Sequence, residues 1–304
     1  MVKDQKNKGK ESLCLQQIEL FIRHLQVEKN YADNTVSAYQ RDLNKLLSFI
    51  ERRNISQWSD IDEKMLNLFV MELRHANTSN CSIRRHLSSI RGFFSFLLRL
   101  GTLNENCAKG ISSPKLNQTL PKTLDFEDLS KMMQPKSSRF EDLRNVTMIE
   151  LIYSCALRVS ELVGLDINDL DLKQGFVKVM GKGSKMRFVP VGQSSIAVIE
   201  NYLIKKPPCE NNALFVNQKQ IRISIRSVQN IIKQRAQDVG IRVNVHPHML
   251  RHAAATHFLQ SSHDLRSVQE YLGHKSIKST QVYTHLDFLE LSKVYDDCHP
   301  RAKK

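Results

Sequence analysis

The run His246-Pro247-His248-Met249-Leu250-Arg251-His252 sets His248 and Arg251 three residues apart, on one face of a helix whose first-turn N–H groups favour an anion. A phosphate is the natural guest, although an isolated H-x-x-R also suits a solvated polar face. His248 and His252 have the i, i+4 spacing of zinc ligands, but Met249 stands where a metalloprotease helix offers glutamate. Leu157-Arg158-Val159-Ser160-Glu161-Leu162 places Arg158 in an apolar helical segment, where a guanidinium is out of place unless paired. Glu161 at i+3 can hold it, and alone this is also the pattern of a structural ion pair. Asp166, Asp169 and Asp171 could chelate magnesium for a nuclease, yet the short run precedes a strand and suits turns and caps. Gly181-Lys182-Gly183-Ser184-Lys185 is not a Walker loop, because Gly183 stands where Ser or Thr is required. A lysine on such a tip can reach a DNA groove or protonate a leaving oxygen, or it can be an ordinary solvated turn. Leu272-Gly273-His274 adds a histidine behind a helix stop, and Tyr283 adds a phenol nine residues later.

These residues must be positioned by the elements around them. In the first part of the chain, Leu15, Ile18, Ile22 and Leu25, then Val36, Tyr39, Leu43, Leu46 and Ile50, recur at helical spacing. The second of these helices opens behind Asp33, Asn34 and Thr35, a third after Asp62, and a fourth after Ser79 and Asn80 with Ile83, Leu87, Ile90, Phe94 and Leu97 inward. Gly101 stops the fourth, and residues 111–123, with Pro114 and Pro121, read as an exposed linker. Beyond it, helical patterns at 125–133 and 140–153 lead to two β-rich runs, 176–180 and 186–191, which flank the lysine-bearing turn as a hairpin. Helical patterns return at 196–205, 227–239, 247–260, 265–272 and 276–286. The expectation is a mainly α, two-domain protein. Residues 1–110 form a helical bundle, 111–123 a linker, and 124–304 an α+β domain with a small β-sheet.

Composition agrees with a folded chain that meets a polyanion. At about 100–200 residues per domain, 304 residues suit two domains. Lys and Arg number 45 against 31 Asp and Glu, a formal charge of +14, and 41% hydrophobic content excludes a disordered tail. The basic excess is shared, with 17 basic against 12 acidic residues through position 110 and 28 against 19 after it. Six scattered cysteines without a C-x-x-C pair suggest neither a zinc ribbon nor a disulfide framework, and suit a reducing, cytoplasmic location. The polar stretch from Met1 to Glu11, and an apolar run at 93–100 broken by Ser95 and Arg99, lead us to expect neither a signal peptide nor a membrane span.

Taken together, an arginine in L-R-x-S-E-L, a hairpin lysine in G-K-G-x-K, H-x-L-R-H, L-G-H and a following tyrosine, in that order, resemble the tyrosine recombinases, the phage integrase family. The closing T-Q-V-Y-T-H-L-D-F and V-Y-D-D-C-H-P-R-A-K resemble its XerC branch. One departure is Ser154-Cys155-Ala156, where the family usually has Thr-Gly before Leu-Arg. The resemblance implies that Tyr283 attacks a DNA phosphate to give a 3′-phosphotyrosine and a free 5′-hydroxyl. Arg158 and Arg251 would neutralise the non-bridging oxygens and His274 would donate a further hydrogen bond. Lys182 would protonate the leaving 5′-oxygen, His248 would accept or relay the tyrosine proton, and Glu161 would orient Arg158. It implies no nucleotide, metal or other cofactor. The first domain would be a core-binding bundle that clamps double-stranded DNA, with Arg84, Arg85 and Arg91 as backbone contacts or, equally, as a solvated helix face. The branch implies a heterotetramer with a XerD-type recombinase at a dif-like site, its C-terminal helix docked on a neighbour. The task would be chromosome-dimer resolution under a cell-division DNA translocase. A phage or mobile-element integrase is the alternative within the class. From other classes, a non-catalytic DNA-binding protein would bind without covalent capture and a metal-dependent nuclease would fail in chelator.

Overall fold

The computed structural model describes residues 2–115, 124–181, 186–209, 211–273 and 285–302. The chain separates into two compact units, Met1–Thr119 and Leu120–Lys304.

The first unit is built from helices α1 (Val2–Val27), α2 (Asp33–Glu51), α3 (Glu63–His75) and α4 (Asn80–Arg99). Apolar residues at helical spacing turn inward, so that Ile18, Phe21, Leu43, Leu46, Leu66, Ile83, Leu87 and Ile90 share one core with Trp58, Phe93 and Phe94. Asp62 caps α3 by accepting from the Met65 N–H at 2.7 Å, and Ser79 caps α4 by accepting from the Ser82 N–H at 3.2 Å. Helix α2 differs from expectation. Its N-cap is Ala32 without a side-chain bond, and Asp33 lies in the first turn, where its charge suits the helix dipole. Gly101, at φ +71°, ends α4 in the left-handed region that glycine enters without steric cost. The start of the expected linker is fastened to this unit, since Ile111 is buried and the Asn80 amide donates to the Lys115 carbonyl at 3.1 Å.

In the second unit, α5 (Phe126–Met133) and α6 (Phe140–Ser154) lead into the short α7 (Val159–Gly164). A three-stranded antiparallel sheet follows, ordered β1 (Leu170–Asp171), β2 (Phe176–Met180), β3 (Met186–Pro190). Val177 pairs with Val189 and Met180 with Met186, so β2 and β3 are the antiparallel pair expected of a hairpin, while residues 182–185 of the expected turn lie outside the described residues. Helices α8 (Gln193–Lys205), α9 (Ile225–Asp238), α10 (Pro247–Ser262), α11 (Leu265–Leu272) and α12 (His285–Cys298) complete it. The core runs through α6, the sheet and α10, with Leu151, Ile152, Val177, Val179, Leu250, Ala253 and Phe258 all buried. The acidic run at 166–171 serves caps and turns. Asp169 accepts from the Asp166 N–H and Asp171 from the Gln174 N–H, both at 2.9 Å.

One segment departs from the sequence reading. Arg158 does not lie inside a helix: α6 ends at Ser154, Ala156 takes φ +44°, and Arg158 becomes the extended N-cap of α7. At the C-terminus, Leu291, Tyr295, His299 and Ala302 are buried within their own unit, against β3, α10 and α11.

Candidate active site

The helix break after α6 brings Arg158 and Glu161 face to face. Glu161 Oε2 accepts from the Arg158 backbone N–H and Oε1 from its Nη1, both at 2.8 Å, which closes a capping box at the start of α7. Arg158 is more than a third exposed while Glu161 is buried. The carboxylate is the inner anchor and the guanidinium the outward group.

Arg251 arrives from α10. His246 caps this helix by accepting the Met249 N–H at Nδ1, 3.2 Å away, and Pro247 fills its first turn. Arg251 Nη1 donates to the Ala156 carbonyl and Nη2 to the Leu272 carbonyl at 2.6 Å, and Nη1 lies 3.7 Å from Glu161 Oε2. One guanidinium therefore ties the loop before Arg158 to the end of α11, beside the Gly273 of L-G-H. Gly273 itself, at φ +62°, caps α11 in the left-handed region.

A third guanidinium, on β3, completes the cluster. Arg187 Nη1 donates to Glu161 Oε1 at 2.8 Å and Nη2 to Oε2 at 3.0 Å. Burial by itself would raise the Glu161 pKa, but the hydrogen bonds and charge of Arg187, with the backbone and side-chain hydrogen bonds of Arg158, outweigh it and hold the carboxyl at about 2. For Arg251, burial and then the charge of Arg158 lower the pKa to about 10, against the opposing pull of Glu161, so it remains a cation at neutral pH. Three guanidinium groups around one carboxylate leave positive charge in excess. A phosphate is suited to balance it, because planar guanidinium forks match its oxygens.

Of the sequence-derived site residues, Arg158, Glu161 and Arg251 thus come together. His248 lies exposed on the first turn of α10. Lys182, His274 and Tyr283 lie outside the described residues. In the first unit, Arg84 is exposed, whereas Arg85 pairs with buried Asp42 at 3.1 Å. Arg91 is engaged by backbone and hydroxyl: Nε donates to the Ala108 carbonyl at 3.0 Å, Nη2 to that of Ile111 and Nη1 to Ser113 Oγ at 3.4 Å.

Sequence reasoning missed Arg187, although an arginine on the inward side of an alternating strand was a signal. It also missed Arg41 and Lys45 of α2, exposed at i, i+4, whose charges join that of Arg85 around Asp42. Burial nevertheless dominates at Asp42 and raises its pKa to about 6. Among the described residues no group of three or more His, Cys, Asp or Glu is placed to hold a metal, and no helix is long and apolar enough to cross a membrane.

The fold and this cluster define a two-unit, mainly helical protein with three guanidinium groups gathered around one buried carboxylate. The phage integrase family matches residues 122–290, and the phage integrase N-terminal SAM-like domain matches residues 18–101. The tyrosine recombinase XerC of Pseudomonas fluorescens is 42% identical over 294 residues, covering 95% of this chain and 98% of that protein. The solved XerH site-specific recombinase bound to palindromic difH substrate, a post-cleavage complex, superposes with a TM-score of 0.68 at 26% identity, covering 96% of this chain and 89% of that one. A lambda integrase dimer bound to a COC′ core site, at TM-score 0.69 and 16% identity over 93% and 77% of the two chains, shares the fold. The chain belongs to the phage integrase family, the tyrosine recombinases, which are DNA strand-exchange enzymes.

Proposed function

We propose that this protein cuts and rejoins double-stranded DNA at a dif-like site through a 3′-phosphotyrosine on Tyr283. It would act in the cytoplasm, in a heterotetramer with a XerD-type recombinase, to resolve chromosome dimers under a cell-division DNA translocase. The observation that carries the reading is the convergence of Arg158 and Arg251 on one buried, ionised Glu161. The XerC and XerH likenesses supply the kind of site.

The chemistry follows from the residue types. A phenol of pKa ~10 is about a thousandth ionised at neutral pH, so attack on phosphorus needs a proton acceptor, the role of His248. The oxygen of Tyr283 bonds to phosphorus, the bond from phosphorus to the 5′-oxygen breaks, and Lys182 returns a proton to that oxygen. Arg158 and Arg251, with His274, meet the charge that gathers on the non-bridging oxygens. Because the phosphodiester becomes a phosphotyrosyl ester, a second strand's 5′-hydroxyl can reseal it without a nucleotide. In the first unit, Arg84 is the exposed member of the arginines assigned to the DNA backbone.

The test is incubation with nicked suicide duplexes carrying a dif-like site, followed by denaturing gels. Wild-type protein should form a protease-sensitive covalent adduct, in chelator as well as without it. Tyr283→Phe should bind the same duplex and form none; an adduct with the Phe variant would remove Tyr283 from the nucleophile's role.

A further inference from the structure

Arg187 stands where a strand puts its apolar residues. Along β3, Met186 and Phe188 face out while Arg187 and Val189 are buried. A guanidinium there is costly unless its donors are matched. Its Nη1 and Nη2 form a fork on both oxygens of Glu161, at 2.8 and 3.0 Å. Its Nε is buried with no hydrogen-bond partner among the described residues. The side chain lies against Gly273, where a Cβ would sit 2.8 Å from Nε. Arg187 therefore touches both the carboxylate that holds Arg158 and the glycine of L-G-H.

The competition for Glu161 decides what this contact does. Its Oε1 also accepts from Arg158 Nη1, and its Oε2 lies 3.7 Å from Arg251 Nη1, beyond a hydrogen bond. With both oxygens occupied by Arg187, the carboxylate holds the Arg158 guanidinium by one donor, besides the backbone N–H of the capping box, and leaves Arg251 outside hydrogen-bonding reach. If Arg187 were removed, the same buried negative charge would have only Arg158 and Arg251 to satisfy it. It would draw both inward and cancel the positive charge they present. We propose that Arg187 is a positioning residue for strand cleavage: by occupying both oxygens of Glu161, it leaves Arg158 and Arg251 free to bind the scissile phosphate. This rests on the recombinase reading of the site.

The experiment uses the full chain and the nicked suicide duplex, with single-turnover adduct formation and duplex affinity measured side by side. Arg187→Met should bind within about threefold of wild type but form adduct about a hundredfold more slowly, the scale of losing one preorganised donor to developing charge. Arg187→Met combined with Glu161→Gln should recover at least about tenfold over Arg187→Met, because the carboxylate that captures the arginines is now neutral. A merely structural role predicts that the second substitution worsens the first. A scissile methylphosphonate gives a second readout: with no anionic oxygen pair to neutralise, its cleavage should fall less than about tenfold in Arg187→Met. Arg187→Lys keeps the charge but not the fork, and should be slowed about tenfold if Arg187→Met does not fold. Wild-type rates in Arg187→Met or in Arg187→Lys, or equal losses on both substrates with no recovery in the double variant, would overturn the proposal. An absence of adduct with the wild-type chain itself would instead sink the recombinase reading, and this inference with it.

Discussion

Ala156 occupies a backbone conformation that its side chain disfavours. Its φ of +44° lies in the left-handed region, its side chain is fully buried, and its carbonyl receives Arg251 Nη1. An L-residue there costs about 1–2 kcal/mol. Replacement by glycine removes that strain but also a buried methyl worth about 0.8 kcal/mol, and adds freedom to the unfolded chain. Ala156→Gly should therefore change unfolding stability by less than about 1 kcal/mol. Ala156→Val puts a β-branched residue at positive φ and should cost more than about 2 kcal/mol in urea unfolding, with slower cleavage because Arg251 moves with the carbonyl. A valine variant as stable as wild type would refute this account of the loop. The sequence marks this position as a departure from the family's Thr-Gly, but alanine as a residue type hides the positive φ. Arg158 and Glu161 are legible from their i, i+3 spacing. Arg187 is hidden for another reason, since beside Lys182 and Lys185 it reads as one more hairpin cation until strand pairing shows that it faces inward.

Helix α12 and the residues after it are held to the second unit by a polar device within an aromatic core. His299 stacks on Tyr295 with ring centroids 4.5 Å apart, and its Nδ1 accepts the Arg301 N–H at 3.1 Å. Its Nε2 then carries the proton and faces the Tyr271 hydroxyl at 3.3 Å, while that hydroxyl donates to the Ser154 carbonyl at 2.8 Å. A second proton on His299 would point at an N–H, and burial, with the Arg301 charge, lowers its pKa to about 3. A base whose pKa is depressed on folding contributes stability that is present above the unfolded value, about 6.5, and lost as pH falls toward the folded one. At pH 5 the loss from His299 alone is about 2 kcal/mol, and His257, also lowered chiefly by burial, acts in the same direction.

The first unit behaves differently. Burial, then Lys45 and Arg85, lower His86 to about 4, but burial raises Asp42, 3.3 Å away, to about 6. As pH falls from 6.5 to 4 the histidine's loss is offset by the stability that Asp42 regains below its folded pKa. Amide exchange on the full chain at pH 7 and pH 5, corrected for intrinsic rates, should show weaker protection in α6, α10 and α11 at the lower pH and little change in α2 and α4. His299→Phe, which keeps a ring on Tyr295 but cannot titrate, should reduce that contrast; an undiminished contrast would exclude His299 as its source. At this scale periodicity makes α2, α3, α4 and α11 legible, because each buries one regular stripe. The docking of α12 is less so, because besides α10 and α11 it packs on β3, about 100 positions earlier, and His299 just after it meets Tyr153, whose ring lies 5.4 Å away.

Basic charge on both units is what makes a two-sided grip on DNA testable in the whole molecule. The division into a helical first unit and a mixed second one is foreshadowed by the proline-bearing stretch and by the change from helical to alternating periodicity. The residues that present charge are less legible, because charge counts do not say which guanidinium is already engaged. Arg91 is spent on carbonyls and a hydroxyl and Arg85 on Asp42, whereas Arg41, Lys45 and Arg84 are exposed on α2 and α4. If the first unit grips the duplex, these three residues release counterions when they meet phosphates. Each such contact contributes about −0.9 to the slope of log affinity against log salt, so replacing all three by glutamine should flatten that slope by up to about 2.7. The comparison is a salt titration of the full-length wild-type and triple-variant proteins on one duplex, with melting curves to show that both are folded. The affinities should converge as salt rises, because the lost term is electrostatic, and the adduct rate at saturating protein should be unchanged because none of the three belongs to the arginine cluster. Parallel slopes would mean that this face of α2 and α4 does not touch phosphates, and residues 1–110 would then have to serve protein contacts instead of a clamp.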